Sequence, residues 1–137
     1  MRRTTVKFCG FRTTDDVKKA IDLDIDALGF ILVPHRKRTV QETELRKMIA
    51  LVPEHLMTVG VLMNPTLETV ADWLSVAPLS AIQLHGDESP AFCWQLKQQF
   101  PTIRLIKVFH MDSTLEEEAI QSYQQSIDIA LLDSSFA

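Results

Sequence analysis

An α/β protein built on a parallel sheet is the expected fold class, and three observations lead to it. Six short apolar runs recur about every 20 to 30 residues, and segments with helical spacing lie between them. No linker, low-complexity tract or charge block marks a second domain, so residues 1–137 are taken as one unit. Strand–helix–strand repetition at that spacing implies right-handed crossovers between parallel neighbours.

The strand-length runs are 5–9, 27–32, 57–63, 81–85, 104–109 and 129–133. The first, Val6-Lys7-Phe8-Cys9-Gly10, reads as a strand that carries a cysteine to its carboxyl end and stops on glycine. Thr14 is the expected cap of the first helix, with Asp15 and Asp16 favourable to its dipole and Val17, Ala20 and Ile21 as its buried stripe. Leu45, Met48, Ile49 and Val52 mark the second helix. The third is expected to begin at Asn64-Pro65 and to bury Leu67, Val70, Ala71 and Leu74. Ser89-Pro90 repeats that device ahead of Phe92, Cys93, Leu96 and Phe100. Ser113 and Glu116 have capping-box spacing, followed by Leu115, Ala119 and Ile120 as a buried set.

Composition narrows the function classes. Of 137 residues, 46% are hydrophobic and 23% charged, enough apolar material for one core. A formal net charge of -4 argues against a nucleic-acid surface. No apolar run approaches the roughly 18 residues of a membrane span, and Met1-Arg2-Arg3-Thr4-Thr5 lacks the apolar stretch of a signal peptide. Cys9 and Cys93 form no CxxC pair and are too few for a disulfide framework, so a cytoplasmic location is expected.

Period-2 alternation sorts the strand residues into two faces. One is apolar: Val6 and Phe8; Leu28, Phe30 and Leu32; Val59, Val61 and Met63; Ile82 and Leu84; Ile106 and Val108; Ala130 and Leu132. The other mixes small and polar groups: Lys7 and Cys9; Ala27 and Gly29; Thr58 and Gly60; Gln83 and His85; Lys107; Asp133. An open sheet covered on both sides would read as continuous apolar runs. Helices outside and a tight interior with polar strand ends suit a (β/α) barrel, whose active groups sit at the carboxyl ends of the strands. Cys9, His85 and Asp133 fall at such ends.

Other residues admit plainer readings. His35, His55, His85 and His110 have no ligand spacing, and with the two cysteines they make no zinc pattern. The run His35-Arg36-Lys37-Arg38 is a solvated loop or, at the active end, an anion site. Asp87 and Glu88 read as a solvated turn, Cys93 as core, and Trp73 and Trp94 as packing. Lys107 could reach an anion from the internal face or pair with an acidic neighbour.

Six pieces, in order, resemble the phosphoribosylanthranilate isomerase family of tryptophan biosynthesis: Lys7-Phe8-Cys9-Gly10, Asp26-Ala27-Leu28-Gly29-Phe30, Arg36-Lys37-Arg38, Val59-Gly60-Val61, Ile82-Gln83-Leu84-His85-Gly86-Asp87-Glu88 and Leu131-Leu132-Asp133-Ser134. The resemblance implies a (β/α)8 TIM-barrel fold and an Amadori rearrangement of N-(5-phosphoribosyl)anthranilate to 1-(2-carboxyphenylamino)-1-deoxyribulose 5-phosphate. It gives Cys9 the role of general base at C2 of the sugar and Asp133 that of general acid at the ring oxygen. Arg38 would meet the anthranilate carboxylate, and His85 would line the substrate site. It implies a small phosphosugar substrate, no cofactor and no metal.

The roles are chemically coherent, because ring opening needs a proton donor and enolisation a base at the adjacent carbon. Lys7, two residues from Cys9 on the same face, could favour the thiolate. Against a full barrel of eight strands and about 250 residues, with compact versions near 200, only six strands are counted. The expectation is therefore an incomplete barrel from a truncated product, short of activity alone, with self-association through its open edges as one way to protect them. The alternatives are an inactive fragment serving as an associating module, or another phosphosugar barrel enzyme.

Overall fold

The computed structural model describes residues 4–111 and 117–133. Its element order is β1 (Lys7–Cys9), α1 (Thr14–Ile21), β2 (Ala27–Ile31), α2 (Glu42–Ile49), β3 (Met57–Leu62), α3 (Leu67–Val76), β4 (Ala81–Leu84), α4 (Pro90–Gln99), β5 (Arg104–His110), α5 (Glu117–Gln121) and β6 (Ile129–Asp133). The six strands form one parallel sheet in chain order, β1-β2-β3-β4-β5-β6. This is an incomplete barrel with its helices outside. Among the described residues, no helix is long and apolar enough to cross a membrane.

Local chemistry explains most helix starts, with two corrections. Thr13, not Thr14, caps α1: its Oγ1 accepts from the Asp16 amide at 3.1 Å. Likewise α3 is capped by Thr66, whose Oγ1 accepts from Thr69 N at 3.0 Å. Asn64 stands outside that helix, in a turn at φ 47°. Ser89 caps α4 as expected, accepting from Phe92 N at 3.1 Å, with Pro90 opening the helix. The expected capping box of Ser113 and Glu116, with Leu115, lies outside the described residues. Ala119 of α5 is exposed where burial was expected.

The main core lies between sheet and helices. Leu28, Phe30, Ile82, Leu84 and Leu105 of the strands pack there against Val17, Leu45, Met48, Val70 and Leu96 of the helices. A second, smaller cluster of Ala27, Val59, Ala81 and Ile106, flanked by Met57 and Ile129, fills the concave side. This corrects the face assignment of two strands. The register pairs Gly29 with Val59 and Phe30 with Gly60, so Val59 and Val61 face inward while Thr58 and Gly60 face the helices. In β5, Ile106 is internal and Lys107 external. Both faces of these central strands are buried, so hydrophobicity alone does not set their phase; pairing does. The outer residues of the edge strands also depart from expectation: Phe8 is 42% and Leu132 53% exposed. Trp94 is likewise exposed rather than packed, whereas Trp73 packs against the main core.

Candidate active site at the carboxyl ends of the strands

Cys9 is the last residue of β1 and is exposed on the concave side of the sheet. Its neighbour across the ladder is Gly29, and Gly10 N donates to Gly29 O at 2.9 Å. Gly10 then turns the chain at φ 95°, a conformation that side-chain-bearing residues rarely adopt. The space above it is taken by Arg38: a β-carbon on Gly10 would lie 2.5 Å from Arg38 Nη1. The basic loop therefore folds back over the end of β1. Thr39 fixes it by accepting from Arg36 N at 2.9 Å and donating to Val33 O, and Val40 N donates to Ile31 O at 2.9 Å. A cavity of about 450 Å³ opens between this loop and the strand ends, lined by Arg36, Lys37, Arg38, Val61, Met63 and His85. A second cavity of about 530 Å³, which includes Lys7 and Cys9, runs along the β1 edge towards α1.

On the far side of the sheet, Asp133 ends β6 opposite His110 of β5. The register keeps one face continuous from Cys9 through Gly29, Val59 and Ala81. Two residues along β4, Gln83 pairs with Ile106 and Ile106 with Ile129, and Asp133 lies four residues beyond Ile129. Cys9 and Asp133 thus belong to the same concave face at the same rim, on its two edge strands.

His85 stands between them at the end of β4. Its Nε2 is 3.9 Å from Asp133 Oδ2, and the His110 ring lies edge-on at 5.1 Å between centroids. His110 Nε2 lies 3.3 Å from the His85 carbonyl oxygen. Burial lowers the His85 pKa below 6.5, and positive charge on His110 acts in the same direction. The imidazole is therefore neutral at neutral pH, although Asp133 opposes the shift.

The turn after β4 is not a solvated one, contrary to expectation for Glu88. Glu88 is 5% exposed and its Oε1 is 3.2 Å from Lys107 Nζ. Glu88 also accepts from Asn64 N at 2.7 Å and Gly86 N at 3.0 Å, and Tyr123 donates its hydroxyl to the Glu88 carbonyl. Lys107 donates to Gly86 O at 2.6 Å and lies near the Phe109 and Tyr123 rings. Of the two readings for Lys107, pairing with an acid holds and internal anion contact does not, because the side chain points to the helices. This bracket holds His85-Gly86 in place from behind. Asn64, Glu88 and Tyr123 were not singled out as supports, and only the register reveals them.

His110 was also passed over as a site residue. Its signal was positional: it shares parity with Ile106 and ends its strand. His85, His110 and Asp133 each offer one ligating atom, all within 4.8 Å of one another, the arrangement among the described residues that could hold a metal ion.

A family model described as N-(5'phosphoribosyl)anthranilate (PRA) isomerase matches residues 6–137. The N-(5'-phosphoribosyl)anthranilate isomerase of Staphylococcus carnosus is 37% identical over 129 residues, covering 94% of this chain and 61% of that relative. Phosphoribosyl anthranilate isomerase from Thermotoga maritima superposes with a TM-score of 0.86 at 26% identity, over 98% of this chain and 64% of its own. A solved phosphoribosyl anthranilate isomerase in complex with reduced 1-(o-carboxyphenylamino)-1-deoxyribulose 5-phosphate superposes at 0.85 and 26% identity, over 96% of this chain and 66% of its own. The chain thus spans about three fifths of the length of the curated relative and slightly more of the structures.

Proposed function

Since the chain belongs to the N-(5'-phosphoribosyl)anthranilate isomerase family, we propose that it supplies the acid–base half of that isomerase site. The reaction is the Amadori rearrangement of N-(5-phosphoribosyl)anthranilate to 1-(2-carboxyphenylamino)-1-deoxyribulose 5-phosphate. Asp133 protonates the furanose ring oxygen, the ring opens to a Schiff base, and Cys9 takes the C2 proton to give the enol. Arg38 meets the anthranilate carboxylate, and His85 lines the site beside Asp133. Lys7 lies beside the thiol, both side chains resting over Gly29. The supporting observation is the shared rim: the two groups occupy one concave face at the carboxyl ends of strands, where barrel enzymes carry their chemistry. The reduced ligand held by one structural neighbour is the reduced form of this product, which fits a site of the same class.

The test is isomerisation of N-(5-phosphoribosyl)anthranilate by the purified chain. Turnover that falls by about 10²-fold or more in Cys9→Ala and in Asp133→Asn supports the assignment. Turnover unchanged in either variant refutes it, and substrate affinity unchanged in Arg38→Ala removes the carboxylate role. A second reading, an associating module, is favoured by one observation. Phe8, Leu131 and Leu132 on the edge strands are 42%, 37% and 53% exposed. Self-association through those edges predicts an oligomer by analytical ultracentrifugation, and a monomer at micromolar concentration rules it out.

A further inference from the structure

The proposed reaction uses Asp133 and His85 but has no task for His110, although the three form one cluster. His110 and Asp133 are register partners on β5 and β6. His85 follows Leu84, whose own partner is Lys107 on β5, so the three side chains converge over adjacent strand ends. Their ligating atoms lie within 4.8 Å of one another, and His85 Nε2 and Asp133 Oδ2 are 3.9 Å apart. That distance is beyond hydrogen bonding. Nδ1 of the same ring is buried without a hydrogen-bond partner among the described residues. The ring packs edge-on against His110, and its Nε2 faces the Asp133 carboxylate.

We propose that His85, His110 and Asp133 form a binding site for a divalent transition-metal ion such as zinc(II) or cobalt(II). Two imidazoles and a carboxylate are a donor set that borderline ions accept, and three protein ligands leave a position open. Metal–donor bonds of about 2.0–2.2 Å place tetrahedral donors about 3.4 Å apart, so His85 and Asp133 must close by about half an ångström and the widest pair by up to about 1.4 Å. His85 and Asp133 are half-buried and His110 is exposed, so side-chain rotation suffices. Lys107 is turned to the opposite face and paired with Glu88, so its side chain is not a competitor for the cluster's ligand atoms. His85 also lines the cavity bounded by Arg36, Lys37 and Arg38, where a further anionic ligand would be welcome. Ion and proton exclude one another on Asp133, so a bound metal holds that carboxyl in its ionised form. The site stands on side-chain geometry and does not depend on the isomerase reading.

The full chain carrying Cys9→Ser, which removes the exposed thiol as a competing ligand, is titrated with cobalt(II) near neutral pH. The visible d–d absorption is recorded. The expected result is a band saturating at one equivalent, displaced by zinc(II), with affinity reduced by about tenfold or more in both His110→Ala and His110→Gln. The glutamine keeps an amide able to reach the His85 carbonyl, so it decides the matter should the alanine variant lose its far-ultraviolet dichroism. Absence of a band at saturating cobalt(II), or affinity unchanged in the folded His110 variants, overturns the site. Neither readout involves turnover, so the isomerase assignment and the metal site fail separately.

Discussion

Gly29 lies directly beneath the side chain of Cys9. A β-carbon on Gly29 would sit 2.7 Å from Cys9 Sγ, closer than real contacts allow, and 3.2 Å from Lys7 Cε, tighter than most. The bare backbone of β2 thus makes the berth in which the thiol and the lysine stem of β1 lie side by side. Gly29→Ala is expected to move the sulfur by a fraction of an ångström to an ångström. Displacement on that scale costs about 10²-fold in kcat. Steady-state turnover beside urea unfolding checks this, the expected pattern being a large loss of rate with a smaller loss of stability.

The two thiols should separate cleanly by reactivity. Cys9 is exposed, whereas burial pushes the Cys93 thiol up to about 11. At mildly alkaline pH, Ellman's reagent is expected to modify one thiol rapidly. The second should react only after denaturant is added, and Cys9→Ser should abolish the fast phase alone. Two fast thiols in the folded chain would contradict the burial of α4 against the core.

Breaking the bracket behind His85 should be costly. Lys107 and Glu88 side chains are only 4% and 2% exposed, so Lys107→Met strands a carboxylate out of water. Removing one partner of a buried pair typically costs about 3–5 kcal/mol. The amides of Asn64 and Gly86 still serve Glu88, which places the expected loss near the lower end. Urea unfolding of Lys107→Met against a Lys107→Met, Glu88→Leu double variant tests it. The double variant should recover much of the loss.

Acidification should weaken the fold through His85. Its folded pKa lies below 6.5, chiefly from burial, so between that lower value and 6.5 the unfolded chain binds the extra proton. Stability therefore rises with pH across this window and falls as pH drops through it, levelling off once the folded imidazole also protonates. Thermal midpoints recorded across this window should show that slope, and His85→Gln should flatten it. An imidazole resonance titrating above 6.5 for His85 would contradict the sign.

The alternation of strands and helices was legible because it is local. Apolar spacing, Ser89-Pro90 and the glycine stops act within a few residues of themselves. The strand-end positions of Cys9, His85 and Asp133 followed from the same local pattern. What escaped depended on pairing between strands. Val59 and Ile106 turn inward because of register, in strands buried on both sides, so the pattern of β3 and β5 carried little phase information. Glu88 looked like a surface acid because its partner, Lys107, lies on the next strand. Asn64 looked like a cap because Asn-Pro is a cap signal. Its side chain instead accepts from Asp87 N at 2.8 Å, a contact across 23 positions. His110 was overlooked for the same reason, since its closeness to His85 exists only once β4 and β5 are adjacent.

Among the described residues, each strand of this sheet is bonded to the strands immediately before and after it in the polypeptide. From β2 to β6, each new strand leaving a ribosome therefore finds a neighbour already synthesised. Growth from the amino end, one unit at a time, is the natural route of assembly for such a chain. Its vulnerable moment at each step is the newest strand, whose outer row of amides and carbonyls is still unpaired.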